Sequence, residues 1–417
     1  MLLQFNFKNY KSFKDEASLD MTATKDTEFR ERVVQIGNEK ILPVAVIFGA
    51  NASGKSNVYS AFRFMSDYVL NSFGYGDDET GYVSRRPRPF LLDENSSKAE
   101  TSFEVYFTVP GDTDAKTYNY GFSLDNEGVA EEWLNTKAKT ARTARRIFYR
   151  DLKTGTLDLK GLPKSCRTNL AAAVTRQALI VSLGAKIRVQ ICRLVRDWFL
   201  NNRCTDYGNP VTNLLKSTGM PQGFADRPEV RADVVRYISS FDESITDFGV
   251  ERVYSEDDSM NDQYRITAIH RIEGTEQCVE IPLGEESAGT LKMFSLYPDL
   301  QKVMKSGGVY FVDELNARLH PLLLRTFVLT FLNPEINQKH AQLIFTSHDT
   351  GIMRMFRRDE IWFTEKDSIG ASSLYSLSDV VEPDGSSIRK DENYERNYLL
   401  GKYGAIPAVA NLHIAGE

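Results

Sequence analysis

The stretch GANASGKS, Gly49 to Ser56, follows the apolar run Val44, Ala45, Val46, Ile47, Phe48 and precedes a segment, Asn57 to Val69, that reads as helix. Strand, glycine-rich loop and helix in that order turn the G-x4-G-K-[ST] pattern into a phosphate-binding loop. Gly49 and Gly54 let the backbone curl so that successive N–H groups converge on a phosphate, and the helix N-terminus adds partial positive charge. Lys55 then reaches the β- and γ-phosphates, while the Ser56 hydroxyl ligates Mg²⁺. Asn51, Ala52, Ser53 and Asn57 complete the expected contact with ATP. The plain alternative is a glycine-rich turn without a ligand, and the flanking strand and helix argue against it.

At 417 residues the chain has room for two or three domains, or for one large discontinuous one. Hydrophobic residues at 41% and charged residues at 26% are ordinary for a soluble globular protein. No apolar run approaches the length of a membrane span, so no membrane partner is expected. The opening MLLQFNFKNYKSF alternates Leu3, Phe5 and Phe7 with polar neighbours, which is the period of a strand rather than a signal peptide. Four scattered cysteines, Cys166, Cys192, Cys204 and Cys278, fit reduced thiols in a cytoplasmic protein better than a zinc site or disulfides. A net charge of −6 argues against a wholly basic nucleic-acid coat and leaves room for a local basic groove.

Outward from the loop, residues 1–48 read as two or three strands. From Ser102 to Trp133, alternation (Phe103, Val105, Phe107; Tyr118, Tyr120, Phe122) separated by turn signals predicts an antiparallel meander. Between about 160 and 248 the period turns helical: Ile187, Ile191, Leu194, Val195 and Trp198 fall on one helical face. Lys186, Arg188, Arg193 and Arg196 take the other, read as solvated surface. A second helix after Pro228 buries Val230, Val234, Ile238 and Phe241, and strands return from Arg252 to Val279. The last third alternates a helix from Thr290, a strand Val309–Val312, a helix from Pro321, and strands at Gln342–Thr346 and Ile361–Phe363. Such alternation implies a parallel sheet covered on both faces.

A phosphate loop needs carboxylates to hold Mg²⁺ and position water. The strand Val309 to Val312 ends in Asp313 and Glu314, at the sheet edge where phosphate loops also sit. Asp313 suits the metal and Glu314 the attacking water, although an acidic turn in solvent would also read this way. Phe345-Thr346-Ser347-His348 ends a second apolar strand in a histidine able to bond a γ-phosphate. Gly284 to Thr290 places small residues before a helix, either as an anion site or as ordinary capping by Ser287.

The order of parts (NYKSF, GANASGKSN, an insert, ESAGT, VYFVDE, FTSHD) resembles ABC-type ATPase heads of the SMC, Rad50 and RecF kind. ESAGT, DELNARLHP, FLNPEINQKHAQLIFTSHD and the ending NYERNYLLGKYGAIP resemble more closely the RloA-type and abortive-infection ATPases of bacterial anti-phage operons, relatives of the OLD and PARIS ATPases. The resemblance covers residues 1–60 and 280–405, the middle matching loosely. It implies an α/β fold: an ABC-type P-loop NTPase head with a mixed or parallel sheet, an antiparallel β meander and a helical insert. The expected divisions are 1–160 (N-terminal lobe), 161–248 (helical insert) and 249–417 (C-terminal lobe). It further implies a head that dimerises around two ATP molecules, with Ser287 and Gly289 touching the γ-phosphate bound to the other subunit. Lys55, Ser56, Asp313, Glu314 and His348 would act within their own subunit, and Asn9, Lys11 and Ser12 match a nucleotide-contacting segment. Two features depart from the pattern: ESAGT replaces Leu-Ser-Gly-Gly-Gln, and Asn316-Ala317-Arg318 replaces the usual acidic residue and serine after Glu314. No glutamine fits a Q-loop.

The favoured expectation is an ATP-hydrolysing sensor or scaffold, a homodimer or a higher assembly of dimers, controlling a separately encoded effector in phage defence. The stretch after His348 is short for the nuclease fused to OLD enzymes. The alternative is a RecF- or Rad50-like ATPase on DNA, with Lys137, Lys139, Arg142, Arg145, Arg146 and Arg150 contacting phosphates. A transporter subunit fits less well, because the meander and the NYLLGKYG piece do not suit it.

Overall fold

The computed structural model describes residues 1–75, 86–109, 111–112, 114–209, 211, 220–253, 263–382, 384–386, 388–389 and 392–406. Its centre is a six-stranded sheet ordered β11-β15-β16-β5-β17-β18: Arg203–Asp206, Val309–Asp313, Gln342–Thr346, Val44–Gly49, Ile361–Lys366 and Ser372–Ser376. All neighbours are parallel except the edge strand β18, antiparallel to β17. Every residue of β5, β15 and β16 is buried, as expected of parallel strands covered on both faces.

Strand periodicity sorts these residues between two cores. Ala45, Ile47, Val309, Phe311 and Ile344 enter one, and Val44, Val46, Phe48, Tyr310, Val312, Leu343 and Phe345 the other. The first core is closed by helix α1 (Lys55–Asn71) and by a seven-stranded antiparallel sheet ordered β10-β9-β8-β7-β6-β1-β2. Its strands are Leu2–Lys8 (β1), Ala17–Asp20 (β2), Thr101–Thr108 (β6), Thr117–Leu124 (β7), Val129–Lys137 (β8), Arg145–Asp151 (β9) and Thr156–Asp158 (β10). Two short strands, Val34–Ile36 (β3) and Glu39–Ile41 (β4), form a hairpin, so five strands occupy the first 49 residues where the sequence suggested two or three. Gln342 joins the sheets: its amide accepts the Leu2 N–H at 2.6 Å and donates to the Leu2 and Leu42 carbonyls, each at 3.0 Å.

A short helix α2 (Glu94–Lys98) precedes the meander, and helices α3 (Lys164–Ala173), α4 (Ile180–Lys186) and α5 (Gln190–Asn201) follow it. The expected continuous face from Ile187 to Trp198 is interrupted. Helix α4 ends at Lys186, Arg188 takes φ +65°, and Ile187 is 49% exposed, while Val195 and Trp198 do pack inward. Strand β11 then returns the chain to the central sheet beside β15. Helices α6 (Pro228–Ser239), α7 (Ala288–Ser306) and α8 (Pro321–Leu332) contribute to the second core. A three-stranded antiparallel sheet lies between α6 and α7 in the chain: Ile245–Val253 (β12), Gln263–Arg271 (β13) and Cys278–Pro282 (β14). A last helix, α9 (Tyr394–Leu399), stacks Tyr398 on Phe363 of β17 with ring centroids 5.3 Å apart.

Arg150 does not join a basic surface. It is fully buried, donates to Glu132 at 2.9 Å, and also donates to the carbonyls of Thr175 (2.9 Å) and Ala178 (3.0 Å). Glu132 in turn accepts the Ile180 and Val181 N–H groups at the start of α4. The pair fastens the helical segment to the meander, which removes Arg150 from any phosphate-contacting set.

Candidate functional site

The loop after β5 curls as its glycines require. Gly49 has φ +153° and Gly54 φ +121°. A Cβ on Gly49 would stand 2.5 Å from the Thr364 carbonyl oxygen, and one on Gly54 would stand 2.7 Å from Ser372 Oγ. Ser53 Oγ meets Thr364 Oγ1 at 2.6 Å, and Ser372 donates to the Ser53 carbonyl at 2.7 Å, so β17 and β18 brace the loop from behind. From the far end of the chain, the Ala405 carbonyl accepts the Ala50 N–H at 3.1 Å.

Lys55 is buried, and its Nζ donates to the Gly49 (2.8 Å) and Ala50 (3.0 Å) carbonyls. Burial draws its ammonium down to about 8 against the opposing pull of Asp313 and Glu314. That leaves a charged donor whose present partners are two weak carbonyls, ready to be exchanged for a phosphate.

Parallel pairing sets β15 beside β16 and brings their ends together. The Thr346 hydroxyl donates to Asp313 Oδ1 at 2.6 Å and accepts the Glu314 N–H at 2.8 Å. Asp313 is raised above the usual carboxylate range by burial, opposed by hydrogen bonds from Thr346 and Ser56. The Ser56 hydroxyl therefore already faces the Asp313 carboxylate. Two hard oxygen donors so placed fit Mg²⁺, which prefers one or two protein oxygens and completes its shell with water and phosphate. Asp206 of β11, in register with Asp313, adds another carboxylate nearby.

Glu314 takes φ +53°, and Asn316 Oδ1 accepts the His348 N–H at 3.3 Å, tying the loop after β15 to the one after β16. Asn316 thus has a structural partner at a position where the sequence showed only a departure from pattern. Burial and neighbouring Lys55 hold His348 below its ordinary value, which favours neutral imidazole near pH 7. A cleft of about 480 Å³ is lined by Asn51, Ala52, Gly54, Lys55, Ser56, Asn57, Glu314, His348 and Lys366. Of the residues expected to act within one subunit, Lys55, Ser56, Glu314 and His348 line this single opening, and Asp313 is hydrogen-bonded to Ser56.

Ser287 and Gly289 lie outside that opening. Ser287 caps α7, its Oγ accepting the Thr290 N–H at 3.1 Å, and remains exposed. A Cβ on Gly289 would meet nothing closer than 3.7 Å. Asn9 is structural: its side-chain amide donates to the carbonyls of Ser96, Ala99 and Glu100 and accepts the Phe90 N–H. Lys11 bonds Ser60 Oγ at 2.8 Å, and Ser12 Oγ accepts from Asn57 at 2.7 Å. Sequence reasoning missed Thr346, Lys366 and the bracing pair Thr364 and Ser372; the Thr directly before Ser347-His348 is the one signal that was available.

A family model described as "AAA domain, putative AbiEii toxin, Type IV TA system" matches residues 44–160 and 228–354. The chain belongs to this AAA-domain family. Both matched parts of the AAA domain contribute to the cleft, the first with the phosphate loop and the second with Glu314 and His348. No curated protein matches the chain. Among solved structures, an SMC head bound to the C-winged helix domain of ScpA is 14% identical with a TM-score of 0.43, covering 90% of this chain and 97% of that one. The SMC head of Thermotoga maritima is 16% identical with a TM-score of 0.41, covering 90% and 98%. The Smc head with coiled coil and joint derived from Pyrococcus yayanosii is 11% identical with a TM-score of 0.41, covering 92% and 98%. Likenesses of this size add nothing to what the AAA domain's own strand order shows. Among the described residues, no helix is long and apolar enough to cross a membrane, and no group of three or more His, Cys, Asp and Glu side chains is placed to hold a metal by itself.

Proposed function

We propose that the chain binds ATP·Mg²⁺ between two copies of its AAA domain and hydrolyses it. In this reading the resulting closure controls a separately encoded effector in bacterial phage defence. The observation that carries the ATPase reading is the convergence of Lys55, Ser56, Glu314 and His348 on one cleft, with Asp313 hydrogen-bonded to Ser56. Lys55 leaves the Gly49 and Ala50 carbonyls for the β- and γ-phosphates, and loop N–H groups hold the remaining oxygens. Ser56 and Asp313 would hold Mg²⁺, which would supply positive charge against the phosphates. Glu314 orients water in line with the γ-phosphate, and His348 donates to its oxygens. The exposed Ser287 and half-buried Gly289, standing outside their own cleft, suit contact with the partner's γ-phosphate.

The family's description as a putative toxin of a toxin–antitoxin system, together with the sequence resemblance to abortive-infection ATPases, favours the defence setting. Four unpaired cysteines suit a reducing cytoplasm. The test is ATP hydrolysis by the purified chain and by Lys55→Ala, with co-purification of the neighbouring gene product in each nucleotide state. Cleavage of DNA or tRNA by the chain alone, unaffected by Lys55→Ala, would contradict the reading.

One observation favours the DNA-maintenance alternative. Lys186, Arg188, Arg193 and Arg196 line one cleft of about 460 Å³ beside Phe73, and among the described residues no carboxylate lines it. On a chain of net charge −6 such a concentration of cations suits a phosphate backbone. Binding to duplex DNA that weakens steeply with salt and strengthens with ATP would move the assignment there.

A further inference from the structure

Helix α7 carries a lysine that the mechanism above leaves unused. Lys292 lies in the second turn after Ser287 and is only 5% exposed. Among the described residues its Nζ has no hydrogen-bond partner, and it stands 3.1 Å from the ring centroid of Tyr207. A buried amine without a partner is costly, and contact with an aromatic face offsets only part of that cost. Burial draws this amine down to about 6, so near pH 7 it is a neutral hydrogen-bond donor; of the charges in the loop after β15, Arg318 lowers it further and Glu314 opposes.

The surroundings direct it towards Glu314. Tyr207 directly follows β11, and its N–H donates to the Asp313 carbonyl at 3.0 Å. The next residue, Gly208, lies against the Glu314 carboxylate: a Cβ there would stand 2.9 Å from Cδ and 3.1 and 3.2 Å from its two oxygens. Lys292 and Glu314 therefore flank the same dipeptide, one over the Tyr207 ring and the other against Gly208. Ser295, also on α7, meets the Tyr207 hydroxyl at 3.3 Å and fixes that ring to the helix.

We propose that Lys292 is a positioning residue for Glu314: in the closed, ATP-bound pair its amine holds the Glu314 carboxylate on the attacking water. Because Lys292 rides on the helix that Ser287 caps, docking of the Ser287 loop on the partner's nucleotide then sets the geometry of hydrolysis in its own subunit. The transition state of phosphoryl transfer is loose, so a fixed water matters more than a strong base, and a lysine contact that lowers carboxylate basicity is tolerated. This inference rests on the two-headed ATPase reading.

Lys292→Met keeps the apolar stem and removes only the amine. Its kcat is expected to fall about 10- to 100-fold, with nucleotide Kd and melting temperature close to those of the parent chain. Lys292→Arg should recover part of the rate. In a Glu314→Gln background, Lys292→Met should change the residual rate by less than about twofold, since the group it positions is already disabled. A kcat for Lys292→Met within about twofold of the parent overturns the inference, as does an equal loss in both backgrounds. Should Lys292→Met not fold, Lys292→Gln carries the same expectations. A parent chain that binds but never hydrolyses ATP would instead defeat the ATPase reading, and the two failures are separable because the first requires an active parent.

Discussion

Thr346 Oγ1 lies 2.6 Å from Asp313 Oδ1 and donates to it, while accepting the Glu314 N–H at 2.8 Å. One hydroxyl on β16 thereby fixes the Asp313 carboxylate and the Glu314 backbone at the end of β15. Thr346→Val keeps the shape and leaves a buried carboxylate oxygen and an N–H unpaired. Outer-shell losses of this kind commonly weaken metal affinity about 10- to 100-fold. The same shift is expected in the Mg²⁺ concentration that half-saturates ATP hydrolysis, read by a Mg²⁺ titration of turnover.

Lys55 should be needed for binding as well as for chemistry. In the parent chain, ATP·Mg²⁺ at about 100 times its Kd should add about 2.7 kcal/mol of stability. Lys55→Ala should lose most of this, seen as a melting temperature that no longer rises with ATP.

The buried pair Glu132 and Arg150 predicts a stability effect with no nucleotide dependence. Both side chains are fully enclosed, and burial raises the Glu132 carboxyl against the pull of Arg150. Arg150→Met leaves that carboxylate uncompensated and should cost about 3–5 kcal/mol in urea unfolding. The double replacement Glu132→Leu with Arg150→Met should restore part of the loss.

Glu360 predicts a pH dependence. It is enclosed, its Oε1 has no partner, and burial pushes its carboxyl up to about 8. A raised carboxyl binds more protons folded than unfolded. Its contribution is therefore full below the unfolded value of 4.5 and is lost as pH rises through about 8. Within that window stability should fall with a slope approaching about 1.4 kcal/mol per pH unit from this group. Glu360→Gln should flatten the slope, measured by unfolding at several pH values between those limits.

Much of the site was legible because each apolar strand ends abruptly in a residue with chemistry: Phe48 before Gly49, Val312 before Asp313, Phe345 before Thr346 and His348. A parallel sheet collects such ends at one edge, so local pattern and global topology agree. The break after α4 was not legible, because Ile187 satisfies the helical period of α5 although Arg188 leaves the helix. Arg150 was misread because a run of arginines resembles a basic surface. Its register opposite Glu132, on a strand whose inward positions include Ala130 and Leu134, was the better signal. Lys292 could not be found in sequence, since its isolation depends on Tyr207 arriving from a distant strand.

Whether two heads close on ATP is read from the solution mass of Glu314→Gln with and without ATP·Mg²⁺. The substitution keeps the binding groups and removes the carboxylate proposed to orient water, so a closed state should accumulate. The account predicts that the mass doubles on adding nucleotide and that Ser287→Arg abolishes the doubling. A chain that binds ATP and remains monomeric would contradict it, and would end the role assigned to Ser287 and Gly289 across the interface.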